Sequence, residues 1–347
     1  MIILTGMLAV SGNNWVLMHI LHTTFHGING ALVGGIVASL LGSRRAGWVA
    51  GLAFVAYPGH PEAVVWFVED PWAGTSVFTC LYLTINYMLK GKIVRLAGVG
   101  LFAIVAMLTK EITIALLPAV IAIVLLMDGG SHKYRRGVAV IVSATISTIL
   151  YFFLRFLVLR SLTGMSSIAG LETSPLVWLR WLLPRYMIQF PKLMLIPINQ
   201  EVFNHAGIIY NVAGSVAALI LMLLPFLKEF KLRIFFLGAI IAFLFVLPAF
   251  PLFDIGKDLE SSRYLYISAF GPALIGAQLV ALIKDRIKFT AVALVWIILW
   301  SFVTCQNITP WKEAGKISLN VLNQIKITIP NLRQGSSIMI MDLPDNF

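Results

Sequence analysis

Apolar runs follow one another along almost the whole chain, and the charges between them come in short basic groups. A run of roughly 20 apolar residues is what an α-helix needs to cross a hydrocarbon core about 30 Å thick. The runs are continuous and do not alternate, which argues against a β-barrel. They lie at Trp15–Leu41, Ala46–Tyr57, Trp72–Leu89, Val94–Thr109, Ile112–Met127, Gly137–Leu159, Gly207–Leu227, Ile234–Leu252, Tyr264–Ile283 and Phe289–Cys305. The expected fold class is therefore all-α: a polytopic helical membrane protein of about ten spans. Composition agrees, with 59% hydrophobic residues, 12% charged residues and a mean hydropathy of +0.90. A soluble domain carries about 25% charged residues.

The net charge of +11 does not point to nucleic acid, because the basic residues sit in short connections. Arg44/Arg45, Lys90/Lys92/Arg95, Lys133/Arg135/Arg136, Lys228/Lys231/Arg233 and Lys284/Arg286/Lys288 occupy every second connection. That spacing is the positive-inside pattern, so these loops are expected on the cytoplasmic side and both termini on the other. Met1–Gly12 is uncharged and lacks a basic n-region, so no cleavable signal peptide is read there. Cys80 and Cys305 suggest neither a disulfide framework nor metal-ligand spacing.

Two outward segments are long. The loop 160–206 contains Leu176–Leu195, where Trp178, Trp181, Arg180, Arg185, Tyr186 and Lys192 suit an interfacial helix. A polar tail, 306–347, is expected to be soluble, with a helix near Trp311–Ile327 and a strand-like Ser337–Met341. The organisation is thus a transmembrane domain, 1–305, and an extracytoplasmic tail, 306–347.

Chemistry-bearing residues gather at the outward ends of the spans. Tyr57-Pro-Gly-His-Pro-Glu-Ala-Val-Val-Trp66, followed by Glu69-Asp70, places His60, Glu62, Glu69 and Asp70 there. Carboxylates in that position can serve as a general base, bind a cation or hold sugar hydroxyls; a solvated loop with ordinary acids is the plain alternative. Lys110 and Glu111 lie between two apolar spans, where an ionisable pair is costly and usually functional. Lys110 suits a phosphate as a point-charge partner, and a snorkelling interfacial lysine is the alternative. Arg263 can grip phosphate oxygens in bidentate fashion, while Tyr264 and Tyr266 suit either an interfacial belt, the preferred reading, or a sugar platform. His19, His22, His26 and Asn29 share one helix face, and interhelical hydrogen bonding fits them better than a metal site. Asn307-Ile-Thr309 is a formal N-glycosylation triplet.

As an ordered set these segments resemble the protein O-mannosyltransferase-like group of GT-C glycosyltransferases, which includes the transmembrane TPR-bearing mannosyltransferases. Asn14 to Asn29 resembles the family's second membrane helix. Tyr57–Trp66 resembles its HPxHxEAVxW segment, with Tyr57 at the first His. Thr109-Lys-Glu resembles its SKE step, and Arg263-Tyr-Leu-Tyr its ERYLYLP step, with Ser262 where the acid stands. Trp311-Lys-Glu-Ala and Met341-Asp-Leu-Pro resemble its outer tail.

The resemblance implies transfer of a sugar from a polyprenyl-phosphate donor to a protein, lipid or glycan acceptor on the extracytoplasmic face. The membrane would be the cytoplasmic membrane of a prokaryote, or the endoplasmic reticulum of a eukaryote. It implies Lys110 and Arg263 on the donor phosphate, with Glu62, His60 and Asp70 lining the sugar and acceptor pocket. Glu62 or Asp70 would be the base, and Glu69, Glu111 and Tyr266 complete the substrate-binding set. Relatives differ in their need for a divalent cation, so the resemblance leaves that cofactor open.

One departure stands out. The family carries its catalytic aspartate on the first outer loop, and Met1–Asn13 contains no acid. On this reading the first helix and its base are missing. The alternative is then a truncated or inactive relative acting as a membrane partner. A secondary transporter is a third reading, but it calls for inverted repeats that this chain lacks.

Overall fold

The computed structural model describes residues 14–65, 68–127, 132–160, 189–195, 197–203, 230–249 and 255–328, with isolated positions between 207 and 216. The described residues are helical, with no strand among them. The expected interfacial helix before 189, most of the span 207–227 and the strand-like 337–341 lie outside the described residues.

The helices begin and end where local chemistry requires. α1 (Trp15–Leu41) opens with the Asn14 side chain accepting the Leu17 N–H at 3.1 Å and closes on Gly42 at φ 68°. Ser43 then caps α2 (Arg44–Val55). This second helix stops at Val55, two residues short of the expected end at Tyr57. A tight turn leads to the short α3 (Pro61–Val65) and then to α4 (Asp70–Lys90), which ends at Gly91 with φ 67°. α5 (Ile93–Thr109) follows, then a 3₁₀ turn (Glu111–Ala115), α6 (Leu116–Leu126) and α7 (Lys133–Leu159). Pro118 lacks a backbone N–H, which explains why the regular helix begins only just before it.

Next come α8 (Phe190–Leu195) and α9 (Leu232–Val246), the latter stopping just before Pro248. The expected span Tyr264–Ile283 is broken. It starts as a 3₁₀ turn (Ser262–Leu265), passes through turns, and becomes α10 (Phe270–Ala281) near Pro272. α11 (Arg286–Asn307) is capped by Asp285, an acid within a basic connection, whose carboxylate accepts the N–H groups of Ile287 and Lys288. A one-residue turn leads into α12 (Thr309–Thr328), which buries none of its residues.

Packing runs as a closed circuit: α1 on α2, α2 on α10, α10 on α9, α9 on α6, α6 on α7, α7 on α5, α5 on α4, and α4 back on α1. The α1–α2 seam is glycine-lined. A Cβ on Gly34 would stand 2.8 Å from the Gly47 carbonyl oxygen, and one on Gly51 would stand 2.6 Å from that of Gly30. Backbones come this close only where side chains are absent, as is common between membrane helices. Most of the described core is one apolar cluster, including Phe54, Phe78, Leu81, Phe245 and Phe270, with two small ones around Met18 and Trp72 and around Ile198.

The outer surface is apolar as well. Val142, Ile146, Ile149 and Phe153 of α7, and Leu294, Val295, Ile298 and Phe302 of α11, are exposed. Apolar faces of that extent need a non-aqueous neighbour. Among the described residues, three stretches are long and apolar enough to cross a membrane: Val16–Leu41, Lys133–Leu159 and the 43-residue Arg286–Thr328.

Candidate functional site

One end of the bundle gathers the starts of α1, α4 and α10 and the ends of α2, α5 and α11, opposite the end that carries the basic connections. Buried polar side chains tie these pieces together. The Asn307 amide donates to the carbonyls of Pro58 (2.8 Å) and Pro197 (2.9 Å), while its oxygen accepts the Asn199 N–H at 3.1 Å. Asn199 in turn donates to the Asp258 carbonyl at 2.8 Å. The Asn307 triplet read as a glycosylation signal is therefore structural in the folded chain, since both amide hydrogens are taken.

On this scaffold two carboxylates and two cations converge. Asp70 opens α4 with its side chain fully buried, and Lys110, at the end of α5, donates to its Oδ1 at 2.5 Å. Asp70 Oδ2 is buried and has no hydrogen-bond partner among the described residues. Glu62, on α3, accepts the Arg263 backbone N–H at 3.0 Å and the Ser262 hydroxyl at 3.4 Å, and the Arg263 Nε lies 3.9 Å from its Oε1. Burial holds the Glu62 carboxyl above the usual carboxylate range, against the opposing pull of Arg263.

Tyr264 joins the two pairs. Lys110 Nζ lies 5.1 Å and the Arg263 guanidinium 5.2 Å from the centroid of its ring. The two cations are thus no farther apart than those distances combined. They come from segments separated by more than 150 residues and meet at the ring of one tyrosine.

Beneath this cluster lies a second, fully enclosed network. Tyr266 has no exposed surface; its hydroxyl meets His26 Nδ1 at 2.8 Å and receives the Asn29 amide at 2.9 Å. Asn29 also donates to the Pro71 carbonyl at 2.6 Å and accepts from Thr75 at 2.7 Å. His60 stacks on Tyr266 at 4.6 Å between ring centroids and reaches its carbonyl at 3.3 Å. Burial pushes the His60 imidazole well below its ordinary value, so it is neutral at pH 7. His22 reaches the Ala63 carbonyl at 2.9 Å, whereas His19 is exposed. The polar face of α1 thus fixes α3, α4 and the 3₁₀ turn of Arg263 by interhelical hydrogen bonds.

The remaining candidates lie at the margin. Glu69 is half-buried, and its carbonyl accepts the N–H groups of Trp72 and Ala73 at the start of α4. Glu111 turns away from Lys110; its carboxylate is 70% exposed and lies 3.5 Å from Arg155 of α7. Two expectations are corrected. Tyr264 and Tyr266 are not belt residues, because 8% and 0% of their surfaces are exposed. Reading Tyr264 as a belt residue hid the ring that joins the cluster. Its signal in the sequence was adjacency to Arg263 alone.

Gly74 was also missed. A Cβ there would stand 2.8 Å from Tyr266 Cε1 and 3.0 Å from Asn29 Nδ2, so only glycine lets Tyr266 reach its partners.

No protein-family model matches the chain, and no curated protein matches it. Among the described residues, no group of three His, Cys, Asp or Glu side chains is placed to hold a metal.

Proposed function

We propose that this protein is a membrane glycosyltransferase that moves a sugar from a polyprenyl-phosphate donor to an acceptor hydroxyl on the extracytoplasmic face. The observation that carries the reading is the pair of cations on Tyr264, flanked by two buried carboxylates at one end of an apolar bundle. On this reading the chain spans the membrane about ten times. Its basic connections face the cytoplasm and the cluster faces outward.

The chemistry follows from the charges. Attack of the acceptor oxygen on the anomeric carbon forms one C–O bond and breaks the bond to the phosphate, which leaves with the electron pair. Lys110 and Arg263 stabilise the charge that develops on that phosphate, in a site largely closed to water. Glu62 takes the acceptor proton; its raised pKa makes it a better base than an ordinary carboxylate. In-line displacement inverts the anomeric centre. The unsatisfied Oδ2 of Asp70 suits a sugar hydroxyl, because a buried acceptor without a donor is unfavourable.

The test is a transfer assay on purified protein with a panel of polyprenyl-phosphate sugars. Transfer is expected from at least one donor, with a loss of about 100-fold or more in Arg263→Ala. A folded protein that transfers from none of them, or an Arg263→Ala variant with full activity, would remove this function. One observation favours a non-catalytic membrane partner instead: Lys110 already has Asp70 as its counter-ion. Donor binding without any turnover in the same assay would support that second reading.

A further inference from the structure

A second polar cavity, of about 230 Å³, lies at the same end of the bundle. Lys192, Lys257 and Gln200 line it, over an apolar floor of Leu193, Ile198 and Ile255. Among the described residues, no carboxylate lines it. Neither lysine makes an ion pair with a described residue. The nearest acid in sequence, Asp258, points Oδ1 at the Glu260 N–H of its own turn, at 3.0 Å.

The walls are built rather than fortuitous. The Gln200 N–H donates to the Lys257 carbonyl at 2.8 Å, and the Gln189 amide donates to the Ile255 carbonyl at 3.1 Å. The Leu193 carbonyl accepts the buried Tyr57 hydroxyl at 2.7 Å, which anchors α8 to the turn before α3. The Asn199–Asp258 and Asn307–Pro197 bonds hold the remaining side. Two ammonium groups on one fixed cavity repel each other, and an anion between them converts that repulsion into attraction.

We propose that this cavity is a separate anion site that takes a phosphate-bearing group, either the headgroup of an anionic lipid or the phosphate of a soluble ligand. Lys192 and Lys257 supply the charge, the Gln200 side-chain amide supplies a directed donor, and the apolar floor receives the carbon atoms next to the phosphate. The volume suits a phosphoglycerol or a sugar phosphate and is small for anything larger. This inference does not rest on the transfer reading, since it concerns binding alone.

The experiment uses the full chain in neutral detergent. One arm adds phosphatidylglycerol, with phosphatidylcholine as control; the other adds glycerol 1-phosphate in water. Affinity and thermal midpoint are read in both. A response to the anionic lipid alone assigns the site to a headgroup, and a response to glycerol 1-phosphate assigns it to a soluble phosphate. In either case Lys192→Gln/Lys257→Gln should bind on the order of tenfold more weakly or worse. Lys192→Arg/Lys257→Arg should retain binding, and Arg263→Ala should leave it unchanged. If the double glutamine variant fails to elute as a single species, the exposed Lys257→Gln carries the comparison. No response to either probe, or unaltered affinity in the glutamine variants, overturns the proposal.

Discussion

Asp70 has no exposed side-chain surface, and among the described residues its one charged partner is Lys110. Removing a single member of a buried pair leaves an uncompensated charge and costs about 3–5 kcal/mol. Lys110→Ala is therefore expected to lower the thermal midpoint sharply. Lys110→Gln/Asp70→Asn, which removes both charges and keeps the hydrogen bond, should recover most of that loss without restoring transfer. Glu62 gives a signature in pH. Its folded-state pKa is raised, so the folded chain holds more protons than the unfolded one between the ordinary carboxylate value and the raised one. Stability should fall as pH rises through that window and then level off. Turnover should rise over the same window, because only the ionised carboxylate accepts a proton. Glu62→Gln should abolish both slopes and lower turnover more than donor affinity. Parallel melting and rate profiles check the sign. At this scale the sequence was informative about Lys110, Arg263 and Glu62, since charged residues at the ends of apolar runs need a reason to be there. It was silent on Tyr264, because an aromatic beside a membrane boundary has the same composition whether it faces lipid or two cations.

Helices were legible as apolar runs, and their irregular parts were not. α1, α4, α5 and α7 follow the expected runs within a few residues, because a membrane-length apolar stretch has one stable backbone solution. The 3₁₀ turns at Glu111–Ala115 and Ser262–Leu265 were hidden, although Pro118 and Pro272 mark where regular helix resumes. Those two turns carry Glu111 and Arg263 and adjoin Lys110, so the least regular backbone positions the charged side chains. Gly74 belongs to the same layer, and its need for a missing Cβ depends on Tyr266, nearly 200 residues away. Gly74→Val should displace the Tyr266 ring and reduce transfer while the protein still inserts and elutes as a single species. Gly47→Leu, at the α1–α2 seam, should instead destabilise the whole bundle, read as a lower melting midpoint in detergent. A Cβ at Gly47 already meets the Gly34 carbonyl oxygen at 2.5 Å, with no flexible side chain to yield.

For the whole molecule, the distribution of charge carried most of the message. Basic connections at one end and the acid-bearing cluster at the other give an orientation that cysteine labelling can test. In a Cys305→Ser background, Arg45→Cys and Lys257→Cys should react with an impermeant maleimide from opposite sides of the membrane; Cys80 is buried and should stay silent. Labelling of both from one side would reverse or dismiss the orientation. What the sequence could not convey was closure: the circuit of helices depends on which faces meet, and nearly uniform apolar composition conceals faces. α11 and α12 together form an almost unbroken rod from Arg286 to Thr328. At 1.5 Å per residue, 43 residues reach about 65 Å, roughly twice the hydrocarbon thickness. Hydrocarbon can cover only about half of that height, so the α12 half stands as a mast outside it, in keeping with a helix that buries none of its residues.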